Sequence, residues 1–449
     1  MLRRHVLLAT LSTVAAALTP RPSFARGRTP YGGRAQLHAP WPLAAIDPHR
    51  IDDAAAAFFG EALFDTLYAR DADGAIVPSL AEADPVLEGA ALRVPLRADV
   101  RFASGARLDA RAAAGSLARS RASDGAAWLA DIPVPHVTPD SLVFAMRDAR
   151  RLVRALASPL VSVVPPRFAP ERPDGTGPLR AEVQPWGLLL SRNASAATGP
   201  SFLDAIEIRH APDLLTSLRA FEGGADDLGW LGSFLHEPRA GAKSFDAGVL
   251  GWAVLRTGRD AAAADTPGTA QALADGVPHA ALAALVIGPP WGQGGSTWTG
   301  PPCDLVVRDD APWLVELARA FSVAQSSPSH EVHCVPLPAA EIAQRRGSRA
   351  FTLMMDVARR AGPGPLGVIL GLAAADDPVA AMSLARHPPR GELAPRVLTR
   401  TMRLGVVGEI KLQGGRAPDL VLPPSPWGGA GGGGAGVDWG GAFRARAAS

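Results

Sequence analysis

Between Phe58 and Arg121 the chain alternates between helical and extended hydrophobic periods, and a turn or capping residue marks each change. FFGEALFDTLY places Phe59, Leu63, Phe64 and Leu67 at helical spacing, which predicts a helix with one packed face across this run. Asp73-Gly74 is a turn, and Ile76-Val77-Pro78 leads into a predicted short helix, SLAEA. Leu92 to Leu96 and Val100 to Phe102 read as two strands, with Ser104-Gly105 turning the chain after them. Asp109 stands where an N-cap belongs, ahead of the Ala-rich run that ends at Arg119. These residues make a scaffold and carry no chemistry.

The order of those pieces resembles the peptide/nickel-type (family 5, dipeptide/oligopeptide-binding-like) extracellular solute-binding proteins of ABC importers. That family runs through a helix ending in a Leu-Tyr pair, then D-x-D-G-x-x-x-P-x-L-A, then L-R-x-x-V-x-F-x-x-G, then a helix ending S-L-x-x-R. This chain has Leu67-Tyr68, then Asp71, Asp73, Gly74, Pro78, Leu80 and Ala81. Leu96, Arg97, Val100, Phe102 and Gly105 follow, then Ser116, Leu117 and Arg119. Ile46-Asp47-Pro48 resembles the family's L-D-P after the first strand, predicted here from Gly33 to Ala39. Gly175-Thr176-Gly177-Pro178 resembles its G-T-G-P turn. Leu203, Asp204, Ile206, Asp213, Ala220, Gly224 and Asp227 match a further block, where a helix starts at Asp213 and stops at Gly223-Gly224.

The resemblance implies an α/β protein with the two-lobed periplasmic-binding-protein fold (type II, cluster C-like) and a ligand cleft between the lobes. Residues 1–25 would be a signal peptide, and 26–250 lobe I with a small subdomain at about 47–170. Residues 251–399 would form lobe II, and 400–449 the return to lobe I and the tail. Within lobe II the residues themselves read as strand-helix-strand-helix-strand: Asp304 to Val307, Trp313 to Val323, Glu331 to Leu337, Ala339 to Arg345, and Ala350 to Met355. Short connections between such elements predict parallel pairing. Val406 to Leu412 and Asp419 to Leu422 are expected to rejoin the first sheet.

The first residues bear on address. MLRRH is basic, VLLATLSTVAAAL apolar, and Ser23-Phe24-Ala25 a small-residue cleavage site. Arg3-Arg4 ahead of Val6-Leu7 fits a twin-arginine signal; an ordinary secretion signal with two incidental arginines is the other reading. No cysteine lies near the site, so the expected product is soluble and periplasmic without a lipid anchor. Removing Arg3, Arg4 and Arg21 takes the formal charge from +2 to −1. The basic balance therefore gives no case for nucleic acid or anionic membrane. Cys303 and Cys334 are the only cysteines. One disulfide and two buried thiols on neighbouring strands both fit them.

Enzyme motifs fail on inspection. Gly362 to Gly367 (GPGPLG) fits the dinucleotide pattern by spacing, but two prolines remove backbone donors and leave no comfortable helix start. His330-Glu331-Val332-His333-Cys334 invites a metal, yet neighbouring strand residues face opposite ways, so His333 and Cys334 do not converge. There is no His-Glu-x-x-His helix, no Gly-x-Ser-x-Gly elbow and no Walker lysine. The expectation is a non-enzyme with no cofactor and no resident metal.

Ligand residues are sought on the cleft. Aromatic residues near it are the candidates: Trp230, Phe234, Trp252, Trp291, Trp298 and Trp427. In peptide-binding members an Asp in A-D-x-x-D-P, after the last strand of the second lobe, holds the ligand's amino terminus. The corresponding stretch here is DVARRAGPGP, Asp356 to Pro365, and its Arg359 and Arg360 suit an anionic ligand group. The function implied is capture of a peptide or other small solute by hinge closure and delivery to an ABC permease, by a monomer that binds no nucleic acid. Two other readings stay open: a drifted relative acting as a periplasmic sensor or interaction partner, and an exported metal-dependent enzyme.

Overall fold

The motif residues prove to be structural partners. In the computed structural model Asp47 accepts from both Nη atoms of Arg119, at 2.6 and 2.9 Å, so the L-D-P loop is tied to the helix that ends S-L-x-x-R. Ser116 of the same helix donates to the Ser162 carbonyl and accepts from the Val164 amide. The structure describes residues 29–71, 74–230, 239–262, 264–283, 285, 295–360, 364–386, 395–423 and 437–445. Residues 1–28, on which the signal-peptide and twin-arginine readings fall, lie outside these.

Strand β1 (Arg34–Ala39) leads through the Asp47 loop into helix α1 (Ala54–Leu63), whose N-cap Asp53 accepts from the Ala56 amide. A cap of this kind contributes about 1 kcal/mol. The helix stops before Phe64, which is extended, whereas the hydrophobic spacing predicted helix further on. The Gly-Thr-Gly turn explains the stop. The Gly177 amide donates to Leu63 O, and a Cβ on Gly175 would lie 2.0 Å from that oxygen, so the turn packs on the bare helix end. Leu67 and Tyr68 then pass into β2 (Tyr68–Arg70), paired with β3 (Ile76–Pro78).

The predicted SLAEA helix does not form. Leu80 and Ala81 are held extended by bonds to Thr66 O and Leu67 O, and Ala81 bridges Leu96. A small antiparallel sheet follows, β4 (Val86–Glu88), β5 (Ala91–Pro95), β6 (His136–Val137) and β7 (Ser141–Phe144), in the order β4-β5-β7-β6. Val100 to Phe102 forms only an isolated bridge, Arg101 to Arg107, in place of the predicted strand. Helix α2 (Ala110–Arg121) is capped by Asp109 as expected, and α3 (Ala149–Leu156) by Asp148.

Strands β8 (Leu179–Gln184), β9 (Gly187–Arg192) and β10 (Ala205–His210) return to β1, giving a four-stranded sheet β1-β10-β9-β8. Helix α4 (Leu214–Glu222) starts at the Asp213 cap, and β11 (Leu228–Trp230) follows.

The chain then runs along β12 (Lys243–Thr257). It continues through α5 (Thr269–Gly276), α6 (His279–Leu282), β13 (Cys303–Arg308), α7 (Pro312–Gln325), β14 (Val332–Leu337), α8 (Ala339–Ser348) and β15 (Leu353–Arg359). β13 lies parallel to β14 and to β15, as the strand-helix alternation predicted. Helix α9 (Gly364–Asp376) begins inside GPGPLG, a stretch from which the prolines argued helix away. Pro365 falls in the first turn, where a missing N–H leaves no helical bond unmade. Helices α10 (Pro378–Arg386) and α11 (Pro395–Thr399) lead to β16 (Leu404–Arg416), then β17 (Leu420–Val421) and β18 (Phe443–Arg444).

β16 does not rejoin the first sheet. It runs antiparallel to β12 along most of its length and reaches β11, within a six-stranded sheet β11-β16-β12-β15-β13-β14. The two long strands thus form the bridge between the lobes. Two large cores flank that bridge: one under the first sheet and on beneath β13–β15, the other under the small subdomain and on beneath α9 and α10. Cys303 and Cys334 are free, half-buried thiols on adjacent strands β13 and β14. Burial pushes the Cys303 thiol up to about 11. Among the described residues no group of three ligating side chains could hold a metal ion, and no helix is long and apolar enough to cross a membrane.

Candidate functional site

The loop before α1 and the far end of β15 meet across the lobe junction. The Arg359 amide donates to Ile51 O at 2.7 Å, and the Arg359 guanidinium donates to Pro48 O. Arg346 of α8 joins the carboxylate of Asp52. Arg346 and Arg256 also share Asp356, at 3.1 and 2.8 Å, while Arg50 holds Asp52 from the other side at 3.1 Å. Burial works against ionisation of Asp52, but Arg346 and Arg50 overrule it and hold the carboxyl well below the usual range. The result is an alternating chain of charges across the junction, buried except at Arg50, with each member neutralised by a neighbour.

His49 lies within the same loop. Its Nε2–H donates to Ser162 O at 2.7 Å and its Nδ1 accepts from Arg119 at 2.7 Å, an arrangement that requires the neutral ring. Burial pushes its pKa down to about 4. His49 is therefore a structural tie, without a free ring nitrogen to offer a ligand.

Beside this junction lies a cavity of about 620 Å³. One wall is α1, with Gly60 and Glu61, followed by Asp65, Thr66 and Arg70. The segment from Val437 to Gly441 and the loop from Thr198 to Phe202 close it on the same side. Leu250 of β12, Arg359 and Arg360 form the other wall. Burial pushes the Asp65 carboxyl up to about 6, and its Oδ2 accepts from the Thr176 hydroxyl at 2.7 Å. Burial likewise raises Asp438, which accepts from the Gly441 amide at 2.9 Å. A second cavity of about 340 Å³, lined in part by Trp41, Trp313, Arg308 and Asp310, lies between the lobes with Arg359 on the boundary of both.

Trp439 is held at the cavity edge by its Nε1–H, which donates to Phe58 O at 2.9 Å. Its ring packs on Phe58 and Phe59, with centroids 5.2 and 5.5 Å away. Aromatic pairs of this kind contribute about 0.5–1.5 kcal/mol each beyond area burial. The chain's last segment is thereby fixed on α1, the helix that begins the site.

Of the residues singled out in the sequence, Arg359 and Arg360 line the cavity. Trp252 is 2% exposed in the core beneath α9, and Trp298 is 3% exposed with its Nε1–H donating to Pro301 O at 2.8 Å. Neither lines either cavity. Trp230 belongs to β11 by its backbone. Phe234, Trp291 and Trp427 lie outside the described residues. Arg70, Asp65, Glu61 and Trp439 are cavity residues that sequence reasoning missed. Val437-Asp438-Trp439 was visible only as a closing segment, and nothing in a linear pattern places it on α1.

No family model and no curated protein matches the chain by sequence. Solved structures do match in fold. The oligopeptide-binding protein AppA from Bacillus subtilis, in complex with a nonapeptide, superposes at a TM-score of 0.68 with 12% identity. That match covers 93% of this chain and 100% of the other. MoaA from A. tumefacien R10, in complex with mannopinic acid, gives 0.68 with 14% identity over 93% and 100%. NikA from Staphylococcus aureus, in complex with Ni(L-His)2, gives 0.63 with 15% identity over 88% and 97%. The chain has the two-lobed fold of these peptide- and nickel-type binding proteins, over nearly its whole length.

Proposed function

We propose that this protein is the solute-capturing component of an ABC importer, working outside the cytoplasm as a soluble monomer. It takes a small molecule into the cavity beside Arg359 and presents the closed form to a membrane permease. The observation that carries this reading is the placement of the cavity. It lies between two lobes that the long paired strands β12 and β16 cross, where hinge movement would open and close it. Strand register breaks at Asp246/Val249, Val249/Gly251 and Ala253/Val254, on either side of Leu250, give β12 and β16 points at which to flex.

Binding without covalent chemistry is enough for this task. The cavity volume suits a small solute, and its lining mixes apolar wall with a few charged groups, the combination that fixes orientation. The lobe boundary at residue 250/251 and the return near residue 400 are part of the reading. So are export by the N-terminal leader and the absence of enzymatic activity.

Small-angle scattering tests it. Protein dialysed free of small molecules is compared with the same protein given the small-molecule filtrate of a periplasmic extract. The radius of gyration is expected to fall and native mass spectrometry to show one retained compound per chain. An unchanged radius with nothing retained contradicts the proposal.

A further inference from the structure

The described side chains that the second lobe shows the cavity are cationic. Among the described lining residues beyond the crossing strand, Arg359 and Arg360 are its whole contribution. Arg70, at the end of β2, lines the opposite wall. Burial, and then the charge of Arg70, makes the Arg360 guanidinium easier to deprotonate than usual; burial and then Arg154 do the same to Arg70. Arg70 and Arg360 thus stand on opposite walls of one cavity. Arg359 is 4% exposed, and its Nε finds no hydrogen-bond partner among the described residues.

The carboxyls of this cavity stand on the first lobe. Asp65 is engaged by Thr176 and Asp438 by a backbone amide, and burial weakens both as acids. Glu61 lies on the same wall, and Glu409 lends Arg360 a partial counter-charge. An amine-bearing solute would find no acceptor among the described second-lobe side chains of the lining, because a guanidinium only donates.

Resting on the solute-binding reading, the geometry points to a solute that bears an oxyanion. A carboxylate, phosphate or sulfonate group would bridge Arg70 and Arg360 across the cleft and take up the spare donor of Arg359. Such an anion would gather donors from both walls onto one group, so the charge that selects the ligand also favours closure. Planar guanidinium forks suit any of these groups, and the ligand pools below separate them.

The test is equilibrium dialysis of the full protein, freed of small molecules, with retained compounds read by mass spectrometry. Three defined pools are offered: small carboxylates, phosphates and sulfonates; neutral sugars and amides; amines and polyamines. Retention from the anionic pool is expected. Substituting Arg70→Gln and Arg360→Gln should each weaken it about tenfold to a hundredfold, while Arg360→Lys should restore part of it. Excess inorganic phosphate should compete on the unaltered protein, a readout that does not depend on how the variants fold. Retention from the neutral or amine pool alone overturns the anionic assignment and leaves solute binding standing. Anion retention that survives both Gln substitutions, or that excess inorganic phosphate does not weaken, overturns the bridging. Retention from no pool contradicts solute binding itself, and this inference with it.

Discussion

Two parts of β15, three residues apart, treat buried charge in opposite ways. Asp356 is enclosed between Arg256 and Arg346, and its charge is fully answered. Arg359, on the same strand, reaches a single carbonyl with its guanidinium and leaves Nε unmatched among the described residues, beside a cavity. The first arrangement uses its electrostatics to hold the two lobes' elements in register. The second holds a donor in reserve. A buried ion network and a binding site use the same side chains, and what separates them is whether the partners are already present.

The largest expected effect breaks the paired part. Asp356→Ala leaves two buried guanidinium groups without their shared carboxylate and should cost about 3–5 kcal/mol of stability, read by denaturant unfolding. A loss under about 1 kcal/mol would mean the network is idle. Next comes Asp65. Its carboxyl has a folded pKa of about 6 against a free value of 3.8, so the folded state binds the proton more tightly. Stability from this group should be present below about pH 4 and drain away as pH rises towards 6. Asp65→Asn should flatten that slope, by about 3 kcal/mol between the two limits. A slope unchanged in the variant would assign the pH dependence elsewhere.

Smaller effects sharpen the contrast. Arg360 lies just past the end of the strand and outside the Asp356 network, so Arg360→Gln should move unfolding free energy by less than about 0.5–1 kcal/mol. A loss as large as that of Asp356→Ala would place Arg360 in the structural network. The smallest effect concerns fluorescence. Trp298→Phe should leave any ligand-induced tryptophan signal intact, because that ring is packed away from the cavity, whereas Trp439→Phe should reduce it. The reverse pattern would relocate the ligand.

Much of the scaffold was legible because its determinants are local. Asp109 and Asp213 cap helices where short-range rules put caps, and the alternating elements from Cys303 to Arg359 pair as their pattern implied. The misreadings involve distant partners. Helix α1 ends because the turn at Gly175 to Gly177 packs on it from far along the chain. SLAEA is extended because bonds from Leu80 and Ala81 to Thr66 O and Leu67 O override the helical preference of those five residues. β16 joins the bridging sheet because β12 offers it a long free edge.

The site was legible in part, and for a reason specific to residue type. Arg359 and Arg360 stood out as cations where the family resemblance implied an acid, and the structure puts both on the cavity wall. Aromatic residues are poor guides because their large apolar rings bury readily wherever a core will take them, as Trp252 and Trp298 show. Arg70 and Trp439 reach the cavity from opposite ends of the chain, and only closure of the tertiary fold brings them together.

The most direct test of the account is a crystal structure of the protein purified with whatever it carries. Density for one small acidic molecule in the cavity, with oxygens in contact with Arg360 and Arg70, is the predicted result. A stoichiometric guest bound anywhere else, or one that meets the second lobe without touching either arginine, would contradict it.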